Sequence, residues 1–161
     1  MSDAKAEFVY TTYIRSTPQK VWDAITNPEF ARQYWGYGLV SDFTPGAKWD
    51  MVSGDGSGRV QTTGEVLESH PPTRLVLSWV KPASSADRSE YSRVTFEIEV
   101  RRDDVVRLHI VHDQLKPGSE MHLGISDGWP RVLAGLKSYL ETGQGLLLMC
   151  PPSAHQQAKV A

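Results

Sequence analysis

The chain reads as an α+β domain: a bent antiparallel sheet with two short helices after its first strand and one long helix at its C-terminal end. Three observations predict this. Between Gly36 and Val111 apolar and polar residues alternate, with turn signals spaced as in an antiparallel meander. Trp129, Val132, Leu133, Leu136 and Leu140 form one helical apolar stripe. Ahead of both, a β-rich run leads into two helical segments that each begin at a proline.

Residues 7 to 14, "EFVYTTYI", are rich in β-branched and aromatic types and stop at polar Arg15-Ser16, as a strand does. Thr17 is a good N-cap and Pro18 a good first helical residue, because proline lacks only an N–H that is unpaired there anyway. Val21, Ala24 and Ile25 then share a face, with Trp22 at its edge. Asn27-Pro28 ends this helix and starts a second that runs to about Tyr34, since a residue before proline is disfavoured in the helical region. "AKWDMVS" pairs with "RVQTTGEVLES" across "GDGSG", which is a hairpin turn and not a phosphate loop, because neither Lys-Ser or Lys-Thr nor a helix follows it. "RLVLSWV" comes after Pro71-Pro72, and "YSRVTFEIEV" turns through Asp103-Asp104 into "VVRLHIVHD". The dry faces are expected to carry Val94, Phe96, Ile98 and Val100, then Val106, Leu108, Ile110 and His112, with Leu75, Leu77 and Trp79 as a third row.

In the last helix Gly128 and Pro130 flank Trp129. Pro130 has no N–H for the carbonyl of Ser126, so "SEMHLGIS" is predicted to be a separate segment set at an angle, and the joint re-aims Trp129. Gly143 and Gly145 end the helix. The expected division is a domain over residues 1–145 and a C-terminal tail over 146–161. The apolar stretch "GLLLMCPP" either packs back on its own domain or covers a second subunit, and the second, favoured here, makes a homodimer through the tail.

Composition narrows the function classes. With 17 Lys and Arg against 19 Asp and Glu the formal charge is −2, a surface that a nucleic-acid backbone repels overall. Cys150 is the single cysteine, so no internal disulfide forms and a reducing, cytoplasmic home is expected. The N-terminal residues lack a secretory pattern and no apolar run is long enough to span a bilayer, so no membrane association is expected.

"VWDAITNPEFARQYW", "TTGEVLESHPPTRLVLSW" and "GWPRVLAGLKSYLETG" together resemble the START-like, or SRPBCC, superfamily. Within it they are similar to the branch named for homology to the activator of the heat-shock protein 90 ATPase. The resemblance spans roughly residues 8 to 143 and implies a helix-grip fold: a bent sheet wrapped around a long C-terminal helix, with a cavity between them.

That cavity is the expected site, holding a small, mostly apolar ligand. Its candidate lining is Trp35, Tyr37, Trp49, Trp79, Phe96, His112, Trp129, Leu133 and Leu136. Amphipathic aromatic side chains suit a pocket that must enclose an apolar body and still offer a donor or two. An apolar void costs about 24 cal/mol per Å³, so one of a few hundred Å³ is kept for a ligand. His109 and His112 stand three apart on a strand and face opposite ways, so no metal site is expected, and no cofactor either. Glu68 and Arg74 are placed to meet across a turn as a surface ion pair. No G-x-S-x-G elbow and no convergent acid and base pair is visible. A binding module is therefore expected ahead of a cyclase, hydrolase or isomerase using the same cavity, and ahead of a co-chaperone-like or regulatory interaction protein.

Overall fold

The computed structural model describes residues 4–149. Its chain forms β1 (Ala6–Arg15), α1 (Pro18–Thr26), α2 (Pro28–Tyr34), β2 (Tyr37–Val40), β3 (Lys48–Ser53), β4 (Val60–His70), β5 (Arg74–Trp79), β6 (Ser92–Arg102), β7 (Val105–Leu115) and α3 (Glu120–Thr142). The first two helices begin as their sequences require: Thr17 Oγ1 accepts from the Lys20 N–H at 3.2 Å, and Asn27 Oδ1 from the Glu29 N–H at 3.0 Å. Strand β2 was not anticipated. Its four residues, Tyr-Gly-Leu-Val, are too few to show an alternation.

The strands make one antiparallel sheet in the order β1-β7-β6-β5-β4-β3-β2. Register shifts interrupt four of its pairings, at Ala6/Phe8, Met51/Val52, Val66/Glu68 and Val100/Arg102. Such bulges add local twist and bend, and the sheet curls around α3 in the helix-grip arrangement. The concave face carries the predicted rows: Leu75, Leu77, Trp79, Val94, Phe96, Ile98, Val106, Leu108, Ile110 and His112 are all buried. Val100 departs from its row and is 61% exposed, because it sits past the end of the core at the bulged tip of the β6–β7 hairpin. Glu68 and Arg74 pair at 3.2 Å across the β4–β5 turn.

The expected break in the last helix is corrected. Residues 120–142 form one continuous helix with Pro130 inside it. An interior proline costs about 3 kcal/mol. Yet Ile125 and Trp129 before it and Val132, Leu133 and Leu136 after it are all buried on the same body, each worth about 1.5–3 kcal/mol. Burial of the shared face outweighs the lost hydrogen bond. The start is capped by Ser119 Oγ, which accepts from the His122 N–H at 3.1 Å, and the end by Gly143 in the left-handed conformation. Across the sheet edge, Lys137 Nζ donates to the Tyr13 carbonyl at 2.5 Å and Glu141 Oε2 accepts from the Arg15 N–H at 2.9 Å, so α3 takes backbone groups of β1, an outermost strand.

No helix of the described residues is long and apolar enough to cross a membrane. Cys150 and the tail after it lie outside the described residues.

One glycine fixes the far side of the core. Trp49 is fully buried and its Nε1–H donates to the Ser78 carbonyl at 2.9 Å. A Cβ on Gly64 would stand 1.9 Å from that carbonyl oxygen and 2.6 Å from Trp49 Nε1. Gly64→Ala is therefore expected to destabilise the fold by roughly 3 kcal/mol, read as a lower urea midpoint with unchanged slope.

Candidate functional site

Trp129 is 3% exposed and its indole points inward, onto β6 and β7. Its Nε1–H donates to His112 Nδ1 at 3.0 Å, and His112 Nε2 lies 2.8 Å from Ser92 Oγ. An indole nitrogen can only donate, so Nδ1 is the bare nitrogen and the proton sits on Nε2, from which it is donated to Ser92. Ser92 Oγ in turn donates to the Trp79 carbonyl at 3.2 Å. The imidazole is thus fully satisfied and wholly buried. Burial pushes its pKa down to about 3, against a small opposing pull from Asp113.

Around this chain the aromatic rings pack closely. Trp129 lies 5.5 Å from Trp79, 5.6 Å from Trp35 and 5.8 Å from Phe96, centroid to centroid, and Trp79 lies 5.1 Å from Trp49. These tilted and edge-on contacts fill the space under the middle of α3. Leu133 and Leu136 are buried in the same cluster.

Toward the N-terminal half of α3 the packing opens into a cleft of about 260 Å³. One wall is the sheet side, with Trp35, Tyr37, Met51 and Trp79; the other is α3, with Ile125, Trp129 and Val132 and with bare backbone at Gly124 and Gly128. Thr62, Gln61, Lys81 and Glu120 supply polar groups, the last two joined by an ion pair at 2.5 Å. That bond holds the Glu120 carboxyl below the usual carboxylate range.

The residues anticipated for the lining therefore separate by depth. Trp35, Tyr37, Trp79 and Trp129 border the cleft. Trp49, Phe96, His112, Leu133 and Leu136 stand behind them in the core cluster or its hydrogen-bond chain. Met51, Val132, Gly124 and Met149 line the cleft without having been singled out. Val132 belonged to the visible helical stripe; the others gave no signal that period alone could supply. His109 faces away from His112 and bonds Thr11 Oγ1 at 2.7 Å. Among the described residues no group of three His, Cys, Asp or Glu side chains is placed to hold a metal ion.

The family model of the activator of Hsp90 ATPase homolog 1-like protein matches residues 15–141. Among solved structures, the Aha1 dimer from Colwellia psychrerythraea superposes with a TM-score of 0.71 over 87% of this chain and 99% of that one, at 16% identity. CalU16 from Micromonospora echinospora gives 0.65 over 85% and 77%, at 20% identity. DynU16, a protein of the dynemicin biosynthetic locus, gives 0.65 over 86% of this chain and 48% of its own, at 22% identity. Likeness at these identities shows the shared fold. No curated protein matches the sequence.

His112 makes stability depend on pH. In the unfolded chain an imidazole with pKa near 6.5 takes up a proton that the folded chain refuses down to about 3. The contribution is complete above 6.5 and is lost as pH falls through that window, at about 1.4 kcal/mol per pH unit. His112→Leu leaves the Trp129 N–H without an acceptor, so at neutral pH the variant should be about 1–3 kcal/mol less stable. That deficit should shrink as the pH is lowered, which urea unfolding at stepped pH will measure.

Proposed function

Since this chain belongs to the family of activator of Hsp90 ATPase homolog 1-like proteins, we propose that it is a cytoplasmic binding protein for a small, mostly apolar molecule held in the cleft beside α3. The observation that carries this reading is the cleft's construction, with the rings of Trp35, Tyr37 and Trp79 facing a helix surface that carries Trp129 and is left bare at Gly124 and Gly128. A void of roughly 150 Å³ takes benzene. At about 260 Å³, the cleft suits a body of about two fused rings. Burial at about 25 cal/mol per Å² drives binding, and the Thr62 hydroxyl, Gln61 and the Lys81–Glu120 pair orient a polar end. Trp35, Tyr37, Trp79 and Trp129 are the contact residues in this proposal; Trp49, Phe96, His112, Leu133 and Leu136 hold them in place. Binding is favoured over catalysis because His112 spends both nitrogens on Trp129 and Ser92, and Glu120 is tied to Lys81.

The tail supports a second role as a homodimer contact. Leu146, Leu147 and Leu148 are consecutive and 41–49% exposed. Wild-type protein should then sediment as a dimer and Leu147→Lys as a monomer; a monomeric wild type would rule this contact out.

For the cleft, Gly124→Phe is the direct test. An added Cβ there meets no atom within 4 Å, so the ring can enter the cleft mouth while the fold stays intact. Titration with 1-anilinonaphthalene-8-sulfonate should show binding to wild type and at least tenfold weaker binding to the variant. Equal affinity for both proteins would place the probe elsewhere.

A further inference from the structure

The chain that follows α3 reaches back into the cleft, beyond the last residue of the family match at 141. We infer that residues 144–149 form a strap whose Met149 narrows the cleft, and that a ligand larger than the remaining space of about 260 Å³ enters only as Met149 withdraws. This rests on the cleft being the ligand site.

The path is fixed at both ends. Gly143, with φ of 85°, turns the chain at the end of α3, and Ser138 Oγ donates to the Gln144 carbonyl at 2.7 Å. A Cβ on Gly145 would lie 2.2 Å from the Gln33 carbonyl oxygen and 2.5 Å from Tyr34 Cα, so only glycine passes this point against α2. The next residues run back along α3. The Leu146 nitrogen is 3.8 Å from where a Cβ on Gly135 would stand, and Met149 Cε is 3.6 Å from the same position on Gly128, two turns nearer the helix start. Met149 thus packs over the bare helix surface at Gly128, at van der Waals distance from where a Cβ would stand.

Between these ends the strap makes little contact with its own chain. Leu146, Leu147 and Leu148 are each more than 40% exposed, and Leu147 sits at φ of 50°, a left-handed conformation that a leucine side chain disfavours. Methionine suits this wall. It is unbranched, adapts to irregular apolar space and makes favourable contacts with aromatic rings, here in a cleft bordered by Trp35 and Trp129. An apolar ligand of similar size meets the same walls and competes for them.

The test uses the full chain, whose 4 methionines make an ε-methyl NMR spectrum simple to assign. In the free protein the Met149 methyl should show cross-relaxation to the Gly128 α protons. On titration with 1-anilinonaphthalene-8-sulfonate that signal should disappear, and Met149→Ala should bind the probe at least threefold more tightly than wild type. Absence of the cross-relaxation, or an affinity that is unchanged or lower in Met149→Ala, overturns the strap while leaving the cleft as a site blocked by Gly124→Phe. A probe that binds neither wild type nor Met149→Ala overturns the strap together with the receptor reading.

Discussion

The hydrogen bond from the Trp129 indole to His112 is the contact on which the interior is organised. It joins the closing helix to the central strands in the buried interior, and it fixes the tautomer of a buried imidazole, which in turn fixes the Ser92 hydroxyl. An unpaired polar group at any of these positions would carry a desolvation cost of about 1–3 kcal/mol, so the ring can occupy essentially one orientation. The four neighbouring aromatic rings then pack against a surface whose geometry is already set.

That ordering explains why open space lies toward one end of α3. Where Trp129 is clamped, Trp79, Phe96, Trp35 and the imidazole fill the concavity of the sheet. Toward the helix start the side chains shrink to glycine at positions 124 and 128, while the sheet side keeps its large rings. A curved sheet and a helix laid across it diverge away from their tightest contact, and small residues on the helix leave the resulting wedge open. Met149 borders it from the chain that follows α3.

Much of the frame was legible in the sequence. Thr17-Pro18 and Asn27-Pro28 announced two helix starts, alternation in residues 94 to 98 and 106 to 112 separated wet from dry faces while exposed Val100 broke its row, and His112 was assigned inward from its parity with Leu108 and Ile110. Period gives a face, however, and not a depth: Phe96, Leu133 and Leu136 share inward faces with residues that border the cleft, yet their distance from it depends on how far the sheet curls. The continuity of α3 was also hidden, because the cost of Pro130 is local while the burial that offsets it comes from distant strands. The same holds for Gly64, whose constraint is the carbonyl of a residue fourteen positions away, at Ser78.

The side chains of Lys137 and Glu141 occupy main-chain groups of Tyr13 and Arg15 on the sheet's flank. The helix that shuts the apolar interior therefore also stops that flank from recruiting a foreign strand. In a nascent or partly unfolded chain, release of this one element would bare the aromatic floor and the unsatisfied rim together. Aggregation should thus track detachment of α3 more closely than loss of the sheet itself, and solubility during folding is governed by how fast the last helix docks.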